Sequence, residues 1–271
     1  VAPGNAGTSP SVAVDPSDPA AVVALARAEA ADLVVVGPEA PLCAGVVDAL
    51  TAAGMLAFGP TQAAARLEGS KVFMKELAAR QGIPTARFHV TEDIADADAY
   101  IDAQPGKLVV KTDGLAAGKG AFVTADAAEA KRVARSLLVE GELGAAGKRI
   151  VIEERLAGYE LSVHVVTDGE RTMVLPVARD HKRIFDGDAG PNTGGMGAVA
   201  PIAGACAVPT RIQAEVVGPT LAGMRELGAP YRGVLYAGLM VTPDGTPHLL
   251  DHNVRFGDPE TQVLMPLLDG D

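Results

Sequence analysis

The most constraining feature of the 271-residue sequence is a glycine-rich loop set between two short strands, in the stretch KTDGLAAGKGAFV. The apolar run KLVVKT ends at Thr112 just after Lys111, and GAFVT begins at Gly120, so the loop joins strand to strand. The phosphate-loop pattern GxxxxGK[ST] is absent, and a dinucleotide-binding fingerprint would need a helix next. Two interpretations stay open: a flap whose backbone N–H groups cover phosphates, or a plain mobile hairpin.

The rest of the chain predicts an α/β fold with an α+β lid. Between residues 19 and 60, Ala-rich helical patterns alternate with the short apolar strands DLVVVG and MLAFGP, which is typical of a parallel sheet. After Pro84 the pattern changes to a small α+β unit, and antiparallel strands follow it. We also predict a single helix across PLCAGVVDALTAAG and an irregular polar loop across RDHKRIFDGDAGPNTGGMGA.

Composition excludes some classes of partner. The net charge is −11 at pH 7, which argues against a general nucleic-acid binder or an anionic-membrane binder, because a polyanion needs a basic face. No apolar run in the sequence has the length of a membrane span. The two cysteines, Cys43 and Cys206, form neither a disulfide framework nor a zinc motif, so we expect a reducing cytoplasm.

Two segments carry side chains suited to a phosphate and its metal ion. In LLDHNVRFGDPETQ, Asp251 and Asn253 are two residues apart on a predicted strand, so both point to one face. A carboxylate and an amide oxygen are hard ligands that suit Mg²⁺, and Arg255 follows to bind an anion. In GSKVFMK, Lys71 follows the predicted N-cap Ser70. The alternatives are a strand with a polar solvent face and a solvated helix lysine.

Two more segments combine polar groups with glycine. Glu153, Glu154 and Glu160 lie in VIEERLAGYELS, either as ordinary edge-strand charges or as partners for a nucleotide base and ribose. GPNTGGMG holds four glycines in eight residues, either as a connector or as a backbone cradle for a carboxylate or phosphate. The cationic segment DHKR shortly before it favours the cradle.

Taken in chain order, these motifs resemble one family. GPEAPL, FGPT, LEGSK, KTDGLAAGKG, VIEERLAG, DHKR, GPNTGGMGA and NVRFGDPETQ are similar to the glycinamide ribonucleotide synthetases, or phosphoribosylamine–glycine ligases, of the ATP-grasp superfamily. The resemblance covers nearly the whole chain. It implies ligation of glycine to 5-phosphoribosylamine through glycyl phosphate, with ATP going to ADP and phosphate, in de novo purine synthesis. It also implies Mg²⁺ or Mn²⁺ as the metal, and we expect a cytoplasmic monomer or weak dimer.

The resemblance assigns roles to individual residues of this sequence. The catalytic residues would be Arg255 and Lys182. ATP would meet Lys71, Lys111, Gly118, Lys119, Gly120, Glu153, Glu154, Leu156 and Glu160. The glycine and phosphoribosylamine pocket would be lined by Asp180, Arg183, Asn192, Thr193, Gly194, Gly195, Met196 and Gly197. The metal ion would be bound by Asp251 and Asn253.

The resemblance also predicts the domain organisation. It implies a partial N-terminal α/β domain at residues 1–68 and an ATP-grasp domain at residues 69–271, whose lid spans about 84–157. A glycine-rich N-terminal strand–turn and a C-terminal domain are expected outside these residues.

Two positions depart from the family pattern. The family usually has Glu where Asp251 stands, so the shorter aspartate side chain reaches less far toward the metal, and Tyr159 replaces a common Glu. Two alternatives stay open: another ATP-grasp carboxylate–amine ligase, and a non-catalytic nucleotide-binding module. An oxidoreductase lacks its fingerprint.

Overall fold

The first part of the chain is a small parallel α/β unit. The computed structural model describes residue 4 and residues 7–116, 119–187, 189–202 and 208–269. The first elements are α1 (Pro19–Ala28), β1 (Val34–Val35), α2 (Glu39–Ala44), α3 (Val46–Ala52), β2 (Ala57–Phe58) and α4 (Gln62–Gly69). Strands β1 and β2 pair in parallel, with Val34 opposite Ala57, and pack on α1 and α3 around Leu50. The predicted parallel sheet is therefore present.

One helical prediction in this unit needs correction, and one helix was missed. The helix predicted across PLCAGVVDALTAAG is two helices, because Gly45 adopts a left-handed φ of +87° between α2 and α3. Helix α4 was not predicted. Its N-cap is Thr61, whose hydroxyl accepts a hydrogen bond from the Ala64 N–H.

The middle of the chain forms the lid, an antiparallel sheet with helices on one face. From the helix that precedes the lid onward, the elements are α5 (Lys71–Arg80), β3 (Phe88–Thr91), α6 (Ile94–Ala103), β4 (Leu108–Thr112), β5 (Ala121–Val123), α7 (Ala127–Arg135) and β6 (Ile150–Glu154). Helix α5 precedes the lid, and Ser70 caps it as predicted, accepting from the Phe73 N–H. The sheet order is β3-β6-β4-β5, and α6 and α7 cover one face to form a separate core.

The last part of the chain supplies the main antiparallel sheet. Its large elements are β7 (Tyr159–Thr167), β8 (Thr172–Val174), α8 (Val208–Ile212), α9 (Gly218–Glu226), β13 (Gly233–Val241), β14 (Pro247–Asn253) and α10 (Glu260–Leu264). A π-helical turn, Gln213–Val217, joins α8 to α9. The sheet order is β14-β13-β7-β8, and α4, α5 and α9 pack against it to build the largest core.

The predicted irregular loop after β8 contains short strands instead. These are β9 (Arg179–Asp180), β10 (Arg183–Phe185), β11 (Ala189–Asn192) and β12 (Ala198–Val199). β9 pairs with β12, and β10 with β11, all antiparallel. Polar, glycine-rich sequence carries no strand periodicity, so these pairings were not visible in it. Among the described helices, none is both long and apolar enough to cross a bilayer.

Candidate active site

A cavity of about 730 Å³ opens between the lid sheet and the main sheet. Strands β4, β5 and β6 form one wall, and the start of β7, the β9–β10 segment and β14 form the other. Small-molecule sites commonly have volumes of roughly 300–1,000 Å³. Nine of the predicted site residues line this cavity: Lys111, Glu153, Glu154, Leu156, Glu160, Asp180, Lys182, Arg183 and Asp251.

The other predicted site residues lie outside this lining. They are Lys71, Lys119, Gly120, Thr193, Gly194, Gly195, Met196, Gly197, Asn253 and Arg255. Lys71 still lies close to it, because its Nζ is 4.0 Å from Oδ2 of the lining residue Asp251. Gly118 and Cys206 fall outside the described residues. Asn192 pairs with Arg183 through its backbone, and its side chain is not in the described part.

Glu153 is buried at the back of the cavity between two lysines. Its exposed fraction is 2%, and its carboxylate oxygens lie 3.0 Å from Lys111 Nζ and 3.1 Å from Lys75 Nζ. Lys111 Nζ also donates to the Leu250 carbonyl at 3.0 Å. Lys75 was missed in the sequence, although it lies four residues after Lys71 and so on the same helix face. The lysine that begins the glycine-rich loop is thus fixed in place by a buried carboxylate.

The predicted metal pair lies on β14, next to an irregularity in the strand. The register between β13 and β14 shifts at Gly238 and Leu239, which leaves Leu250 as an extra residue before Asp251. Asp251 and Asn253 are both half-buried on either side of buried His252. Burial by itself would raise the pKa of Asp251, but Lys71, Lys182 and Lys111 outweigh it and hold that pKa at about 2. The carboxylate is therefore ionised at neutral pH.

The donor set of this pair suits a hard divalent cation that has further oxygen ligands. A carboxylate and an amide oxygen, on one face of one strand, are the ligand types that Mg²⁺ and Mn²⁺ accept. The described residues contain no group of three or more His, Cys, Asp or Glu side chains arranged to hold a metal ion. Asp251 and Asn253 alone would leave most coordination positions to a bound molecule, as is usual for a metal that arrives with phosphates.

Arg255 is held by carboxylates of the N-terminal unit. Its Nε lies 3.2 Å from Glu39 Oε2 and its Nη2 lies 3.4 Å from Glu68 Oε1. Glu68 also accepts the Val254 N–H at 2.8 Å. Burial raises the pKa of Glu68 to about 7, although the Arg255 guanidinium opposes the shift. These contacts join the end of β14 to α2 and α4.

The DHKR and GPNTGGMG segments pack against each other. The Thr193 N–H donates to the Lys182 carbonyl at 2.7 Å, and the Met196 N–H donates to the His181 carbonyl at 2.8 Å. Gly195 has a φ of +129°, and a Cβ on it would collide with Pro259. Burial raises the pKa of Asp180 to about 6, with Lys182 opposing. The GPNTGGMG segment therefore supports the DHKR segment, which lines the cavity.

Side chains at the cavity rim are tied to partners of their own. Lys182 Nζ lies 3.7 Å from Glu160 Oε2. Glu154 accepts from Arg87, whose side chain lowers the Glu154 pKa by hydrogen bonding to it. At the base of the glycine-rich loop, Thr112 N–H donates to the Gly120 carbonyl at 2.9 Å.

Two antiparallel sheets that face each other across a cavity lined by lysines and carboxylates define the ATP-grasp class. A solved structure of the same fold is the biotin carboxylase domain of Hydrogenobacter thermophilus 2-oxoglutarate carboxylase, in complex with MgADP, with a TM-score of 0.72 at 16% identity over 93% of this chain and 55% of that chain. Within this class, the description "Phosphoribosylglycinamide synthetase, N domain" matches residues 1–68 and "Phosphoribosylglycinamide synthetase, ATP-grasp (A) domain" matches residues 69–261. The chain belongs to the phosphoribosylglycinamide synthetase family, as the motifs predicted.

Similar proteins from several bacteria agree with this membership. The phosphoribosylamine–glycine ligases of Vibrio parahaemolyticus and Ralstonia nicotianae are 49% and 48% identical to it, over 100% of this chain and 65% of theirs. A Thermotoga maritima phosphoribosylamine–glycine ligase structure superimposes with a TM-score of 0.73 at 42% identity, over 78% of this chain and 54% of that one. The chain thus spans about 65% of the length of these curated relatives.

Proposed function

We propose that the protein uses ATP to join glycine to 5-phosphoribosylamine, giving glycinamide ribonucleotide, ADP and phosphate in purine synthesis. One observation carries the proposal. A single cavity is lined both by lysine and carboxylate groups suited to a nucleoside triphosphate and by the DHKR segment, which packs on the GPNTGGMG loop. The phosphoribosylamine–glycine ligases that match the chain support the choice of substrates.

The proposed chemistry has two steps. A glycine carboxylate oxygen attacks the γ-phosphorus of ATP, ADP leaves, and glycyl phosphate forms. The amine of phosphoribosylamine then attacks the acyl carbon, and phosphate leaves with that oxygen. Neither step needs covalent help from the protein, so catalysis is positioning and charge neutralisation. Lys71 and Lys111 would bind ATP phosphates, and Arg255 would stabilise the transferring phosphoryl group or the acyl phosphate. Lys182 would act from the glycine and phosphoribosylamine pocket.

The remaining predicted contacts complete the proposal. Glu153, Glu154 and Leu156 would meet the adenine, largely through their backbone, and Glu160 would meet the ribose. The loop through Lys119 would close over the phosphates. Asp251 and Asn253 would hold Mg²⁺ or Mn²⁺. The metal, when bound, would neutralise charge on the phosphates. The domain boundaries at residues 68 and 69, the lid at about 84–157, a cytoplasmic location and a monomer or weak dimer remain predictions.

The test is ADP formation by the protein with ATP, Mg²⁺ and phosphoribosylamine generated in the assay, with and without glycine. We expect ADP release to depend on glycine and on the amine, and to fall at least about a hundredfold in Lys111→Ala. Lys131→Ala is the matched control, because Lys131 is a lid lysine that pairs with exposed Asp102. Equal ADP release without glycine would overturn glycine as the acyl donor.

The same assay separates the two alternatives. Another carboxylate–amine ligase would release ADP with a different carboxylate in place of glycine. A nucleotide-binding module would bind ATP but would release no ADP in response to an acceptor. In that case Asp251→Ala would change neither the binding of ATP nor the lack of turnover.

A further inference from the structure

Lys75 is a buried cation that the proposed mechanism does not use. Its side chain has 0% exposure. Its Nζ lies 3.1 Å from Glu153 Oε2, donates to Thr85 Oγ1 at 2.6 Å, and lies 5.7 Å from the centre of the Phe88 ring. Thr85 in turn donates to the Leu249 carbonyl at 2.6 Å. Lys75 therefore links α5 to the lid and to the strand that bears Asp251.

The charges in this cluster do not cancel. Glu153 contacts both Lys75 and Lys111, so two ammonium groups share one carboxylate and the cluster carries a net charge of +1. Without Lys75, Glu153 would neutralise Lys111 completely, and the pair that faces the cavity would have no net charge. Burial lowers the pKa of Lys75 to about 8, with Glu153 opposing that shift, so Lys75 is mostly protonated near pH 7.

We propose that Lys75 is a positioning residue for ATP. It pairs with one oxygen of the Glu153 carboxylate, so this carboxylate does not fully neutralise Lys111, and the positive charge of Lys111 stays available to the phosphates. The inference rests on the proposed ATP site. A charge placed behind a low-dielectric wall acts on an anion in the cavity without touching it, and its effect grows with the charge of that anion. A lysine that only stabilises the core would have no such dependence on ligand charge.

The test compares three ligands of different charge on the same protein near pH 7: ATP, ADP and adenosine. In Lys75→Met the Kd of ATP should rise roughly tenfold, the Kd of ADP should rise less, and the Kd of adenosine should stay the same. The methionine fills similar volume, and Glu153 keeps Lys111 as a partner, so no buried charge is left unpaired. Lys75→Gln is the second charge-removing variant if the first does not fold.

A rescue and a control separate charge from packing. Lys75→Met with Glu153→Gln restores the net charge of +1, so the ratio of the ATP and adenosine Kd values should return to that of the unmodified protein. Thr85→Val removes an uncharged contact of Lys75 and should leave that ratio unchanged. Equal losses for ATP and adenosine in Lys75→Met, or no rescue of the ratio, would overturn the inference. If the unmodified protein bound no ATP, the proposed function itself would fail.

Discussion

Asp251 shows how the surroundings of a single residue fix its chemistry. Three lysines from α5, β4 and the β9–β10 segment hold its pKa at about 2 against the effect of burial. The group therefore stays an anion through the whole neutral range, which a metal ligand requires. Those same lysines are the cations that the proposed mechanism assigns to phosphates and substrate. The lysines that keep Asp251 ionised for the metal would thus also contact the phosphates and the substrate.

This arrangement predicts the behaviour of two variants of Asp251. Asp251→Asn keeps the shape but loses the charge, so we expect ADP formation to fall by at least about tenfold and the Mg²⁺ concentration for half activity to rise. Asp251→Glu keeps the charge and lengthens the reach, so it should retain activity with a changed ratio of Mg²⁺ to Mn²⁺ rates. Metal titrations of both variants measure this. If Asp251→Asn kept full activity with an unchanged Mg²⁺ concentration for half activity, the metal role of Asp251 would be ruled out.

Glu68 predicts a pH-dependent term in stability. Its pKa is about 7 in the folded protein, against an ordinary value of 4.5, because burial raises it by more than Arg255 lowers it. The folded state binds this proton more tightly, so the stabilising contribution is complete below about pH 4.5 and is lost as pH rises through about 7. The unfolding free energy of the protein minus that of Glu68→Gln should fall across this window by up to about 3 kcal/mol.

Urea unfolding of both proteins at several pH values measures this difference. Subtracting the Glu68→Gln curve cancels the other titrating groups, to the extent that they are unchanged between the two proteins. A difference that stays constant from about pH 4.5 to 8 would contradict the shifted pKa.

Single residues also show what the sequence could and could not predict. The shared face of Asp251 and Asn253 follows from the two-residue period of a strand, so it was predictable. The contact of Lys75 with Glu153 joins residues 78 positions apart and depends on how α5 meets the lid sheet. The pairing of Arg255 with Glu39 likewise joins residues 216 positions apart. No local sequence pattern predicts contacts between residues so far apart in the chain.

Among secondary-structure elements, the base of the glycine-rich loop is anchored to the start of α5 by Asp113. Its Oδ1 accepts from the Ser70 hydroxyl at 2.7 Å and from the Val72 N–H at 2.8 Å. Its Oδ2 accepts from Arg149 Nε at 2.7 Å. Because Lys71 begins α5, this one carboxylate fixes the loop relative to that lysine.

The anchor predicts graded effects of substitution. Asp113→Ala should raise the KM for ATP about tenfold and cost roughly 1.5–3 kcal/mol of unfolding free energy, because charge-assisted hydrogen bonds are lost at both oxygens. Asp113→Asn keeps an acceptor for Ser70 and Val72, so it should resemble Arg149→Met, with a smaller rise in KM. Steady-state kinetics with urea unfolding measures both quantities. A loss of stability with an unchanged KM in Asp113→Ala would leave the residue a purely structural role.

Element predictions succeeded where periodicity and caps were strong and failed where tertiary pairing decides. The strands on both sides of the loop and the helix capped by Ser70 agree with the sequence. Helix α4 was missed because it has only eight residues, between a short strand and a longer helix, which is too few to show a clear helical period. The strands β9 to β12 exist only through pairing with one another.

Taken as one molecule, the chain builds its cavity from segments that are far apart in sequence. The lid contributes Lys111 and Glu153, the β9–β10 segment contributes Lys182, and β14 contributes Asp251. Each segment alone has an ordinary structural interpretation, such as a hairpin, a connector or a polar strand face. Together they place cations and an ionised carboxylate around one volume, and the GPNTGGMG segment packs against the DHKR segment that lines it. The proposed ligation depends on that convergence.

The most direct measurement follows the carboxylate oxygens of glycine through the reaction. Glycine labelled with oxygen-18 is supplied with ATP, Mg²⁺ and phosphoribosylamine generated in the assay, and the released phosphate is analysed by mass spectrometry. If ATP activates glycine as glycyl phosphate, we expect one labelled oxygen in each phosphate released, since the attacking carboxylate oxygen leaves with the phosphoryl group. Unlabelled phosphate, formed together with ADP at the same rate, would contradict activation of glycine at this site.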